Sequence, residues 1–187
     1  MSDLKEEIAV QAAAAIVEDG LDYWSAKQRA YASLTGHRGS RIAREDLPSN
    51  EQVQQAIREH LAIYEPEAHA QRLRNRQGSA ERLMLQLAEF DPWLMGALAE
   101  DLALTHSGIQ LACVAEPAKE LGIGLLNRGL SAEAASLPNP TGGGEVEALQ
   151  FEWEGTPTTI RVVPRPHGLR NQGGIQLSEL QSRLRKE

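Results

Sequence analysis

A histidine and a serine, His106 and Ser107, stand together immediately before an apolar run that begins at Ile109. An imidazole can carry a proton or contact a phosphate, and a serine hydroxyl becomes a nucleophile when a histidine and an acid activate it. No such His–acid pair is arranged around Ser107 in the sequence, so a turn residue is the favoured interpretation. His106 stands alone as well, and we expect it to lie in a loop.

Arginines are the other side chains that could contact a charged ligand. One group lies in a predicted helix and consists of Arg72, Arg74, Arg76 and Arg82. It could contact phosphates of RNA or a nucleotide, but a solvated face paired with Glu67 and Glu81 is favoured because the chain is acidic overall. A second basic group, at the exit of a predicted hairpin, consists of Arg161, Arg165, His167 and Arg170.

The elements that must position His106 and Ser107 are two short apolar strands. The first is predicted at residues 92–95, and it ends at a turn of small residues, Gly96-Ala97. A short connection follows, and Ser107-Gly108-Ile109-Gln110 then opens a second apolar strand that ends at Val114.

This order resembles the signature of the DNA-polymerase-β-like nucleotidyltransferases, in which a Gly-Ser turn and a short helix precede Ser-Asp-x-Asp at the start of an apolar strand. In the resemblance, the serine of the turn corresponds to Ala97, and the two metal-binding aspartates correspond to Gly108 and Gln110. The pattern covers residues 78–164. The whole chain resembles a proteobacterial group of proteins whose cores of this kind are degenerate.

The resemblance implies a retained fold without the family's catalysis. Nucleotidyl transfer uses Mg²⁺, which prefers carboxylate oxygens, whereas Gly108 has no side chain and Gln110 has only a neutral amide oxygen. A third acid, expected on a later strand at residues 158–163, is also missing. We therefore expect no catalytic residue, no metal and no cofactor. An active Mg²⁺-dependent enzyme remains the alternative if displaced acids converge on one cleft, the candidates being Glu100, Asp101, Glu152 and Glu154.

Arg161 gives the sharpest hypothesis for a binding site. If it projects from the later strand toward the former metal cleft, its guanidinium replaces Mg²⁺ as the local positive charge and can hold a nucleotide or another anion. The hypothesis requires Arg161 to share a cleft with Gln110 and fails if Arg161 lies on the outer face of the sheet. The complete predicted cleft consists of Gly96, Ala97, His106, Ser107, Gly108, Gln110 and Arg161.

Composition limits the partners and the compartment. The chain has 187 residues, 41% of them hydrophobic, and a formal net charge of −7, which disfavours nucleic acid and anionic membranes as partners. No apolar run reaches the length of a membrane span, and the first residues lack the basic segment of a signal peptide. The single cysteine, Cys113, lies in an apolar strand and is expected to be a buried thiol. A bacterial cytoplasmic protein is the resulting prediction.

The predicted fold class is α+β, with a helical region at residues 1–77 followed by a small mixed-sheet core and a C-terminal tail at residues 78–187. In the helical region, Asp22 is expected to cap a helix that ends at Gly36, and Ser49 with Gln52 forms a capping-box pattern. In the core we expect a helix ending near residue 90, a helix beginning near residue 117, loops at 137–145 and 165–174, a hairpin over 149–162 and a terminal helix at 177–184.

Three functions remain open at this stage. The favoured one is a catalytically inactive nucleotidyltransferase-fold protein that acts as a binding or regulatory module, with a protein partner or a second copy on the N-terminal helices. By analogy with small nucleotidyltransferase-like proteins, that partner could be a helical toxin, which would give the protein an antitoxin-like role. The second is the active Mg²⁺-dependent nucleotidyltransferase that uses displaced acids. The third is an α-helical structural protein whose resemblance to the nucleotidyltransferases is accidental.

Overall fold

A computed structural model describes residues 2–36 and 42–186, and the chain divides into two compact units at residues 1–70 and 71–187. The predicted division at residues 77 and 78 and the observed one both fall inside a single helix, α4 (Pro66–Gln86). Residues 36–48 are polar and contain two glycines and a proline, which predicts an exposed connection, and they lie in part outside the described residues. Its described end includes the buried Leu47 and a short 3-10 turn at Arg44–Asp46.

The helical unit consists of α1 (Ser2–Asp19), α2 (Tyr23–Thr35) and α3 (Asn50–Tyr64). Asp22 caps α2 by accepting from the backbone N–H groups of Trp24 and Ser25, and Gly36 ends the helix in the left-handed conformation. Ser49 and Gln52 form a reciprocal capping box at the start of α3. Both predicted N-caps and the predicted C-terminal glycine are therefore confirmed.

The core of the helical unit forms where α1 packs against both α2 and α3. Small alanines on α1 and α3 allow the helices to approach closely, with branched side chains between them. The core residues of α1 are Ile8, Ala9, Ala12, Ala13, Ile16 and Val17, and those of α3 are Val53, Ala56, Ile57 and Leu61. The helical spacing of apolar residues also predicts Trp24 and Tyr64 on the inner faces of α2 and α3, but this is wrong, because they are 47% and 71% exposed.

The second unit is built on a six-stranded mixed sheet. Its strands are β1 (Trp93–Met95), β2 (Ile109–Val114), β3 (Glu133–Pro138), β4 (Glu145–Trp153), β5 (Thr156–Val163) and β6 (Ile175–Gln176). The spatial order is β3-β4-β5-β2-β1-β6, in which only β2 and β5 run parallel. The predicted α+β class with N-terminal helices and a mixed sheet is confirmed.

Three helices supply the main core of this unit: α4, α5 (Lys119–Asn127) and α6 (Leu177–Leu184). Alternate residues of the strands meet them on one face of the sheet, because side chains alternate between the two faces of a strand. The buried strand residues in this core include Leu94, Ile109, Leu111, Cys113, Leu149, Ile160, Val162 and Ile175. Cys113 is fully buried, as predicted, and burial raises the pKa of its thiol.

The opposite face of the sheet carries a second, smaller apolar cluster. Trp93, Met95, Ala112 and Val163 pack there with Leu169, which comes from the segment after β5. That segment, predicted as a loop, contains a 3-10 turn at Arg170–Gln172. One part of this second face is therefore covered by the chain itself.

Three predicted elements of this unit need correction. Residues 137–145 are not all loop, because β3 ends at Pro138 and β4 begins at Glu145. The helix predicted to reach residue 90 ends at Gln86 and is followed by a 3-10 turn at Ala88–Phe90, and α5 begins at Lys119 rather than near residue 117.

Among the residues that the structure describes, no helix combines the length and apolar composition needed to cross a membrane.

Candidate functional site

The parallel pairing of β2 and β5 fixes which predicted site residues share a face. Gln110 is the register partner of Thr159, and Ala112 is the partner of Arg161. Leu111 and Ile160, between them in sequence, point into the main core. Gln110 and Arg161 therefore lie together on the face of the sheet that is turned away from the helices, as neighbours on adjacent strands.

Arg161 makes two hydrogen bonds across this face. Its Nη1 donates to Oε1 of Gln110 at 2.7 Å, and its Nε donates to the backbone oxygen of Pro138, at the end of β3, at 3.1 Å. The residues beside it on β2 and β4 are Ala112 and Ala148, both fully buried. Their small side chains leave the guanidinium room to lie along the sheet.

The hypothesis for Arg161 is met in one part only, because Arg161 lies beside Gln110 but on the face of the sheet opposite the helices. On that face it is nevertheless not a solvated surface residue. It is half-buried, and this loss of hydration lowers the pKa of its guanidinium. No acidic side chain of the described chain forms an ion pair with it. Since a guanidinium has five N–H groups and two are used by Gln110 and Pro138, three remain for solvent or a ligand.

The two glycines of the predicted cleft are required by the backbone. Gly96 has φ +67° and ψ −153°, a conformation that strongly favours glycine, and a Cβ on it would lie 3.5 Å from Cγ of Gln110. Gly108 is more restricted, because a Cβ there would lie 2.2 Å from the backbone oxygen of Pro157 on β5. The chain therefore has no space for any side chain at position 108, including the aspartate of the family signature.

The remaining members of the predicted cleft do not join Arg161. Ala97 begins a 3-10 turn (Ala97–Glu100), and its carbonyl accepts from the backbone of Leu102. His106 is exposed, and Ser107 is half-buried, with its backbone N–H donating to Leu104. In the part of the chain that the structure describes, no hydrogen bond links His106 or Ser107 to Arg161. The structure thus brings Gly96, Gln110 and Arg161 together, and Gly108 lies just before β2, where the backbone closely approaches Pro157 at the start of β5.

The α4 arginines hold the connection between β1 and β2 by its backbone. Arg72 donates from Nε to the carbonyl of Ala103 at 3.0 Å, and Arg76 donates to the carbonyls of Leu104 and Thr105. These hydrogen bonds to backbone carbonyls are neither phosphate contacts nor ion pairs with Glu67 and Glu81, which were the two roles predicted from the sequence. The sequence has no signal for them, since backbone carbonyls accept hydrogen bonds at every position.

Gln77 and Arg183 hold the earlier part of the same connection. Nε2 of Gln77 donates to the carbonyl of Leu98 at 3.0 Å, and Arg183 donates from Nη1 to the carbonyl of Ala99 at 2.8 Å. Both side chains also bind Oδ1 of Asp101, at 2.8 and 3.2 Å. The connection that follows the small-residue turn is therefore fixed from α4 and from α6.

Two of the four acids that could have restored a metal site, Asp101 and Glu154, are engaged in different places. Asp101 is bound by Gln77 and Arg183, as above, whereas Glu154 accepts from Arg82 at 2.6 and 2.9 Å and from Ser79 at 2.6 Å. These bonds to Arg82 and Ser79 lower the pKa of Glu154 to about 2. Within residues 2–36 and 42–186, no group of three or more His, Cys, Asp or Glu residues could hold a metal ion.

No protein-family model and no curated protein matches this sequence.

Proposed function

We propose that the α+β unit is a catalytically inactive, nucleotidyltransferase-like module that binds an anion at Arg161 and acts through binding. The observation that carries this proposal is the pair formed by Gln110 and Arg161. A half-buried guanidinium stands there beside a neutral amide, at the positions where the family signature implies an acid and its metal.

The local backbone supports the absence of metal-dependent chemistry. An acid at position 108 would overlap the carbonyl of Pro157, and Gln110 already directs its amide oxygen to Arg161. The displaced acids Asp101 and Glu154 each have arginine partners in different parts of the unit. The alternative of an active enzyme would require these acids to leave their partners and converge.

The electrostatics of Arg161 support an anionic ligand. Partial burial of an unpaired charge is unfavourable, and an anion that accepts hydrogen bonds from the guanidinium relieves this cost. Carboxylates and phosphates match the planar arrangement of the guanidinium N–H groups and can accept two parallel bonds. A nucleotide phosphate or another small phosphate- or carboxylate-bearing anion is the ligand class that fits.

Calorimetric titration with ATP tests the proposal, once with excess EDTA and once with Mg²⁺. We expect equal binding in both, and a loss of at least about tenfold in Arg161→Gln, since a charge-assisted bidentate contact contributes more than 1.4 kcal/mol. Arg165→Gln removes an exposed arginine nearby and serves as the matched control. Binding that requires Mg²⁺, or ATP turnover, would instead support the enzyme.

The proposal includes a compartment and a partner. We expect the protein to act in the bacterial cytoplasm, where a single buried thiol such as Cys113 needs no disulfide partner. A regulatory module also needs a surface that contacts another protein, and the N-terminal helices are the expected surface. An antitoxin-like role toward a helical toxin is the alternative for this surface, by analogy with small nucleotidyltransferase-like proteins.

A further inference from the structure

The surface of the helical unit contains a groove between α1 and α3. It has a volume of about 390 Å³ and opens to solvent along both helices. Its apolar lining consists of Ala9, Val10 and Ala56, and Gln52 and Gln55 also line it. Ala9 and Ala56 are nearly covered by the helix packing, whereas Val10 is 54% exposed and supplies most of the accessible apolar surface.

The rim of this groove is acidic on both sides. Glu6 stands on α1, and Glu51 and Glu59 stand on α3, while no lysine or arginine lines the groove. Residues 1–70 carry a formal charge of −5 and residues 71–187 a formal charge of −2. Most of the excess negative charge of the chain therefore lies in the helical unit. The groove therefore lies in the more acidic of the two units, with three glutamates at its rim.

The charges of the rim are only partly compensated within the unit. Lys27 acts on Glu51 through space, but Lys27 is itself buried and its Nζ donates to Oδ1 of Asn50 at 2.7 Å. Glu59 accepts a hydrogen bond from Gln55 at 2.9 Å, which leaves its charge in place. In the described part of the chain, neither Glu6 nor Glu59 forms an ion pair.

We propose that the α1–α3 groove binds a basic amphipathic helix of a partner protein. Charge complementarity identifies this occupant, because a cationic helix neutralises the rim while its apolar stripe covers Val10. Glu51 and Glu59 are eight residues apart on α3, or about 12 Å along its axis. Basic residues at i and i+8 on a helix lying along α3 match this spacing.

A second copy of the same surface fits poorly. Two such grooves facing each other would bring the acidic rims together, and like charges across an interface oppose association. The inference concerns the helical unit and is independent of anion binding at Arg161. Either proposal can therefore fail while the other holds.

Fluorescence anisotropy with the full-length protein tests the inference. The probe is a labelled, alanine-based helical peptide of about 20 residues, long enough to hold a helix, with arginines at i, i+4 and i+8 and a leucine stripe beside them. At about 50 mM salt we expect saturable binding that weakens as salt screens the charges. Absence of binding at low salt would overturn the inference.

Matched charge variants locate the binding. The groove variant combines Glu6→Gln, Glu51→Gln and Glu59→Gln, and the control combines Glu120→Gln, Glu147→Gln and Glu152→Gln, three exposed acids of the α+β unit. We expect a loss of at least about tenfold for the groove variant and less than about twofold for the control, since several charge pairs are lost only in the first. Equal losses would show nonspecific attraction and overturn the inference.

A charge-swap experiment covers the case in which neutralisation disturbs the fold. Replacing Glu6, Glu51 and Glu59 by lysine should abolish binding of the arginine peptide and create binding of the same peptide with glutamates in place of its arginines. Failure of the swapped pair to bind, with circular dichroism showing intact helices, would contradict the inference. So would a concentration-dependent dimer, measured by sedimentation, that the groove variant abolishes, since the occupant would then be a second copy.

Discussion

The two units of the chain use their charged residues differently. In the α+β unit, arginines hold the fold: Arg76 and Arg183 bind backbone carbonyls, and Arg82 binds Glu154. In the helical unit, helix caps and an alanine-rich core hold the fold, and acidic residues stay on the surface. A charged side chain that has no partner of opposite charge within its own unit is therefore a candidate for binding another molecule.

The unused charges of the two units have opposite signs. The α+β unit leaves a half-buried cation, Arg161, without an acid, whereas the helical unit leaves acids around an apolar groove. Each feature invites a ligand of the opposite sign. The comparison also predicts that loss of an arginine should destabilise the α+β unit more than the helical unit. Three substitutions in the α+β unit follow, from the largest expected effect to the smallest, and the second compares the two units directly.

The largest expected effect is that of Gly108→Ala. The new Cβ would meet the carbonyl of Pro157 at 2.2 Å, so β2 and β5 would have to separate at their start. We expect a loss of about 3 kcal/mol or more in the free energy of unfolding, measured by urea denaturation. Gly122→Ala, inside α5 where a Cβ meets nothing within 4 Å, is the control and should be neutral or stabilising. Equal stability of the two variants would contradict the assigned close approach.

The next effect is that of Arg76→Ala. The substitution removes the donors to the carbonyls of Leu104 and Thr105. Part of the connection between β1 and β2 then loses its hydrogen bonds to α4. We expect a loss of about 1–2 kcal/mol and faster amide exchange at residues 102–107. In the helical unit, Arg29→Ala breaks only an exposed ion pair with Asp19 and should cost less than about 0.5 kcal/mol. Equal losses in the two variants would contradict the claim that arginines stabilise the α+β unit more than the helical unit.

The smallest effect is that of Glu154→Gln, and it depends on pH. The folded-state pKa of Glu154 lies near 2, below its ordinary 4.5, so its contribution is complete above about pH 4.5 and is lost as the pH falls toward 2. The wild type should be more stable than the variant at pH 7, by less than about 1 kcal/mol because the pair is exposed, and the two should converge near pH 2. Urea denaturation at several pH values measures this. A gap that widens on acidification would contradict the assignment.

Local signals in the sequence were sufficient for the helix caps of the helical unit. Asp22, Gly36 and the Ser49–Gln52 box act within a few residues of their own positions, so their roles can be predicted from the sequence. The β4–β5 hairpin, with its Glu154-Gly155 turn, was also predicted for this reason. Strand β3 was not, because its sequence EAASLP lacks an alternating apolar pattern and it lies at the edge of the sheet.

The site depends on contacts between distant residues, which is why only part of it could be predicted. The pairing of Gln110 with Arg161 follows from the parallel register of β2 and β5, and the sequence does not specify that register. The restriction at Gly108 comes from Pro157, and the sequence alone showed only that the acid was missing. His106 and Ser107 were predicted to belong to the site because of their imidazole and hydroxyl groups, but the backbone directs neither of them to Arg161.

The most direct test of the central claim observes Arg161 itself. The ¹⁵N-labelled protein is titrated with ATP in the presence of EDTA, and the side-chain Nε–H signal of Arg161, assigned through Arg161→Gln, is followed by NMR. The account predicts a saturable shift of this signal without Mg²⁺, while the signal of Arg165 stays in place. An unchanged Arg161 signal, together with ATP binding that appears only when Mg²⁺ is added, would contradict it.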